Sequence, residues 1–151
     1  MIILSSWCLV NAVSNDQLLA ELEAGTLPQG QWDHEAHVRV CHAALARYGS
    51  SEALGVLRQA IRAYNETIGR PNTATGGYHE TITRYFVMVV AAAGDVDIAT
   101  ILRSPACDRE APLRHWSKER LCCAEARRAW LEPDLVPLPW AVRRHESGKK
   151  R

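Results

Sequence analysis

A chain of 151 residues, 47% hydrophobic and 23% charged, is long enough to bury one real core, and a net charge of +1 argues against a protein that binds polyanions through bulk charge. The charge is uneven, because residues 143–151 carry five Lys/Arg against one Glu. That stretch reads as a solvated, disordered tail (141–151), with a nucleic-acid or membrane-surface arm as the rarer reading.

Five cysteines (Cys8, Cys41, Cys107, Cys122 and Cys123) make an odd number without a Cys-x-x-Cys pair. This pattern points to free thiols in a reducing, cytoplasmic setting, several of them acting as small core residues. No apolar run reaches about 18 residues, so no membrane partner is expected. Residues 1–13 are apolar but lack the basic start of a secretory signal, and read as an N-terminal extension.

The helical domain is expected over residues 14–140. Ser14 caps a first helix with Leu18, Leu19 and Leu22 on one face, and Gly25 stops it. A connector with room for one helical turn leads to Trp32. Asp33 then caps a helix over 34–48 that carries His34, His37, Cys41 and Leu45 on one side. Gly49 ends it, and Ser50-Ser51-Glu52 restarts the chain into a strongly amphipathic helix through Leu54, Leu57, Ile61, Tyr64 and Ile68 to Gly69.

Residues 70–77 form a loop by composition. A helix over 78–93 follows, with His79, Ile82, Phe86 and Val90 on its buried face. A short helix over 97–103 comes next, then an irregular piece around Pro105 and Pro112. Ser117 caps a last helical region to about Trp130 with a break near Cys123, and Pro133, Pro137 and Pro139 extend the end. The expected fold is all-α, a compact bundle of five to seven helices.

Short connections favour antiparallel neighbours, so these helices should run up, down, up. The starts of the His34 and His79 helices would then lie at one end. That would gather His34, His37 and His79 into a divalent metal site for Zn, Fe or Cu, with a position open for water or substrate. A helix N-terminus disfavours imidazolium and so favours the neutral ring a metal needs. Glu35 and Glu80 flank the histidines and suit a general base better than a ligand. The spacing is not that of the zinc-protease motif.

Each of these signals has a plainer reading. Paired histidines commonly serve as polar or capping contacts, and Cys41 is either a fourth ligand or core. Thr75-Gly76-Gly77 is either an anion cradle or a tight turn. Tyr78, Tyr85, Trp32 and Trp116 are either pocket wall or core. Tyr78, Arg84 and Arg120 are candidates for substrate binding, the arginines as a carboxylate clamp.

The phrases Trp32-Asp33-His34-Glu35-Ala36-His37, Pro71-Asn72-Thr73, Gly76-Gly77-Tyr78-His79-Glu80-Thr81 and Glu132-Pro133-Asp134-Leu135 resemble a widespread group of small bacterial helical proteins. The likeness covers roughly residues 15–139. It implies a common fold and a shared histidine-bearing pocket, and it implies no particular activity.

Taken together, the leading expectation is a small metal-dependent enzyme acting on a small molecule, with nucleic acid not expected as a partner. Two alternatives are a non-catalytic metal- or ligand-binding protein and a structural domain closed by a hydrogen-bonded histidine cluster.

Overall fold

Ser14 opens the first helix, its hydroxyl accepting the Gln17 N–H at 3.1 Å, and Gly25 closes it. The structure is a computed structural model that describes residues 13–140; the basic tail and all of the N-terminal extension except Val13 lie outside the described residues.

The helices are α1 (Asn15–Ala24), α2 (His34–Thr67), α3 (Glu80–Ala93), α4 (Ile98–Arg103), α5 (Lys118–Leu121) and α6 (Ala124–Arg128). Three 3-10 turns join them, at Gln29–Gln31, Pro105–Cys107 and Ala111–Arg114. The described residues contain no strand, and the chain is an all-α single domain. No helix among them is long and apolar enough to cross a membrane.

Both halves expected of the long helical region are present, but they meet at a kink instead of a loop. Gly49 sits at φ 78° and ψ 170° inside α2, a combination essentially restricted to glycine. The chain doubles back there. Trp32, just before α2, and Tyr64, near its end, have ring centroids 5.8 Å apart. A straight helix would separate positions 34 and 64 by about 45 Å. The halves therefore lie side by side and antiparallel.

The core follows from the apolar faces. Val38 and Cys41 from the first half of α2, Leu57 and Tyr64 from the second, Phe86 and Val90 from α3, and Trp116 are all buried. Cys41 is fully enclosed, and burial pushes its thiol pKa up, so it is a core residue. Tyr85 and Trp116 also belong to the core. The large polar side chains there keep partners: Tyr64 donates to the Leu27 carbonyl, Tyr85 to Ala106 and the Trp116 indole to Leu131.

Two boundaries depart from the sequence pattern. Helix α3 starts at Glu80 and not 78, because His79 leaves the helix to cap it: its Nδ1 accepts the Ile82 N–H at 3.2 Å. The last helical region is two short helices, with Cys123 capping the second through its sulfur.

The Gly49 reversal gives a direct test. Gly49→Ala should cost about 1–3 kcal/mol, the cost of forcing a Cβ into that backbone region. Gly55 lies within the second half of α2, and a Cβ added to it meets nothing within 4 Å. Gly55→Ala should therefore stabilise by roughly 0.5–1 kcal/mol. Urea unfolding of both variants checks the opposite signs.

Candidate functional site

The two helix starts face one cavity of about 590 Å³. His34, His37 and His79 all line it, so the antiparallel path of α2 and the return into α3 bring the three histidines to the same end. Trp32, Ile61, Tyr78, Ile82 and Phe86 supply apolar wall, and Asp33, Asn65, Arg70, Thr83 and Arg109 supply polar lining.

Local chemistry fixes the histidines individually. Asp33 caps α2, its Oδ1 accepting the Ala36 N–H at 2.8 Å, which sets the start of the helix that carries His34 and His37. The His34 Nε2 is 2.6 Å from the Cys107 carbonyl oxygen. A carbonyl only accepts, so Nε2 carries the proton and Nδ1 holds the lone pair.

His79 is committed at both ends. Its Nδ1 accepts from Ile82, and its Nε2–H donates to the Leu121 carbonyl at 2.8 Å. It is held neutral: burial lowers its pKa, with Arg127 adding to that, against the opposing bond to Leu121.

His37 is different. Its ring stands 5.7 Å from Trp32 and 5.9 Å from Phe86 between centroids, and its Nε2 is sealed and without a hydrogen-bond partner. Burial, and then the nearby His34, bring its pKa down to about 4.

This arrangement does not fit a three-histidine metal centre. His79 has no free lone pair, since one nitrogen caps a helix and the other donates to a carbonyl. Among the described residues no three His, Cys, Asp or Glu side chains stand close enough to hold an ion. The donors still available in the cavity are His34 Nδ1 and the unpartnered His37.

The flanking carboxylates lie elsewhere. Glu80 is buried, yet it is absent from the cavity wall. It receives two bonds from Arg58, at 2.6 and 2.9 Å, and one from the Tyr78 hydroxyl at 2.7 Å. Burial raises its pKa, but these donors outweigh that and leave it below the usual range. Its proton-accepting capacity is spent on structure. Glu35 is exposed and lines a separate, shallow hollow with Gly30, Gln31 and Arg39.

Of the three expected substrate contacts, Tyr78 is on the cavity wall with its hydroxyl engaged by Glu80. Arg84 instead lies over the Trp130 ring, 4.7 Å from its centroid. Arg120 donates to the Glu132 carbonyl at 2.7 Å. Neither lines the cavity.

The arginines that do line it, Arg70 and Arg109, carry no motif in the sequence. Arg70 sits in the loop leading to Gly77-Tyr78-His79, which is the one local hint of its position. Asn65 reads in sequence as the polar side of an amphipathic helix, yet it is buried against the cavity.

The 70–77 loop is built tightly. The Asn72 carbonyl oxygen accepts from Asn65 Nδ2 at 3.2 Å and from the Tyr78 N–H at 3.0 Å, while its Nδ2 donates to the Arg62 carbonyl. Thr73 Oγ1 takes the N–H groups of Thr75 and Gly76, so these two donors are used within a tight turn. Gly77 adopts φ +80°, and a Cβ there would fall 2.7 Å from the Asn72 Cα. Only glycine lets the chain pass Asn72 and deliver Tyr78 and His79 to the wall.

No family model, curated protein or solved structure matches this chain.

His37 makes stability depend on pH. An unfolded histidine titrates near 6.5 and this one near 4, so the unfolded chain binds the extra proton between those values. Stability is complete above pH 6.5 and falls as pH drops towards 4, by up to roughly 3 kcal/mol from this residue alone. The lowered pKa of His79 acts with the same sign. Melting curves of wild type and His37→Gln across pH 4–7 should show a clearly shallower slope in the variant.

Proposed function

We propose that this protein is a small-molecule enzyme that works by proton transfer on His37, with His34 beside it. The observation that carries this reading is the state of His37: a neutral imidazole on a cavity wall, its Nε2 sealed and without a protein partner. Buried polar atoms are normally satisfied, and an exception asks for a ligand that completes it.

The surroundings support the same reading. His34 is locked in one tautomer, with Nε2–H on Cys107 and Nδ1 as acceptor. Apolar walls from Trp32, Ile61, Ile82 and Phe86 reduce competing water. With a pKa near 4, His37 is by itself a weak base; a negative charge brought in beside it raises that value towards the working range of a general base.

A second reading retains a metal. Fixing Nε2–H on a backbone carbonyl is also how ligating histidines are oriented. His34 and His37 would then hold Zn, Fe or Cu, with water or substrate completing the shell, and His79 would stay in its structural role.

The experiment is solvent exchange. Ligands found by a thermal-shift screen of small metabolites are incubated with the protein in D2O and followed by NMR and mass spectrometry. Deuterium incorporation or turnover is expected, with a loss of about 100-fold or more in His37→Phe. A ligand that stays unchanged, or exchanges equally fast with the variant, sinks the proposal. Stoichiometric Zn or Cu binding that disappears in both His34→Ala and His37→Ala, with exchange dependent on the metal, favours the second reading.

A further inference from the structure

The cavity's charge and wall chemistry go beyond the histidines. We infer that its substrate is a carboxylic acid with a flat apolar body, the carboxylate held by Arg70 and Arg109 and the body set against Trp32 and Ile82. This inference rests on the reading of the cavity as a substrate site.

Arg70 and Arg109 both line the cavity and both are exposed. Among the described residues neither has an ion-pair partner; the two ion pairs present are Arg58–Glu80 and Arg114–Asp108. Other arginines at this end are engaged: Arg58 by Glu80, Arg84 by the Trp130 ring, and Arg127 through Nη1 by the Gly77 carbonyl. Two guanidinium groups without ion-pair partners that line the same cavity suit a planar anion, which accepts their forked donors.

The charge balance selects the anion. Apart from its histidines, the lining carries Arg70 and Arg109 against the single carboxylate of Asp33. One negative charge neutralises that set, as a carboxylate does, whereas a phosphate dianion would overshoot it. Asp33 is itself committed to the start of α2 and does not close onto the arginines.

The body of the ligand follows from the walls. Trp32 and Ile82 are the half-buried apolar residues of the lining, with Trp32 5.7 Å from the His37 ring between centroids and the buried Phe86 behind. Ile61 and Ile82 add aliphatic surface, and Tyr78 contributes its ring because its hydroxyl is bound to Glu80. A volume of about 590 Å³ admits a molecule with one or two rings.

The test is calorimetry on the full chain with indole-3-acetate and phenylacetate, their neutral amides, phenyl phosphate and inorganic phosphate. The acids should bind about tenfold or more tightly than their amides, the equivalent of one charge-assisted contact. The double variant Arg70→Gln, Arg109→Gln, at two exposed positions, should bring the acids down to the amide level and leave the amides and the melting temperature unchanged.

Equal binding of acid and amide, a preference for either phosphate, or no binding of any probe overturns the inference. Histidine ring signals in NMR keep the two readings apart. If an acid binds with the expected charge preference but His34 and His37 signals do not move, and His37→Phe binds it equally, the substrate class stands and the proton-transfer reading falls. If the rings respond to acid and amide alike with equal affinity, the arginine assignment falls alone.

Discussion

Carbonyl groups of short turns need donors, and in this protein side chains of the long helices supply them. The region from Ala106 to Leu131 is made of 3-10 turns and helices of four and five residues, which leave many carbonyls without an internal partner. His34 donates to Cys107, Tyr85 to Ala106, His79 to Leu121, and Thr81 to Ala129. Each bond crosses from α2 or α3 to this irregular segment. They fasten the segment beside the helix starts, and Arg109 from this segment lines the cavity.

The same bonds decide the chemistry of the imidazoles. A ring that donates to a carbonyl through Nε2 has one fixed tautomer and one remaining lone pair. In His79 that lone pair goes to the Ile82 amide, which makes the residue a fastener at both ends. In His34 it remains available. His37 belongs to neither pattern, since it is enclosed by Trp32, Phe86 and its neighbours without being tied to any of them. Three similar side chains on one wall thus have three different capacities.

Glu80 illustrates how a reactive-looking group becomes structural. Beside His79 in sequence, it has the composition of a catalytic partner. In the fold it points to Arg58 on the second half of α2 and to Tyr78, two residues back. A buried carboxylate with three charge-assisted bonds is stabilised as an anion, and taking up a proton would break that set. The pair ties α3 to α2 near the cavity without facing into it.

Helical periodicity, Ser14 and Asp33 as caps, and glycine at 25 and 49 were enough to place the main helices, because those signals act within one or two turns of chain. The same local signals implied that residues 34, 37 and 79 would meet at one end of the bundle. What sequence spacing left open was where each nitrogen and each guanidinium finds its partner. His34 bonds Cys107, 73 positions away, and His79 bonds Leu121, 42 positions away. Arg70 and Arg109 line one cavity although 39 positions separate them, while Arg84 and Arg120 are drawn to Trp130 and Glu132. Those pairings depend on which unsatisfied groups packing brings within about 3 Å of one another, a long-range condition that no local pattern encodes.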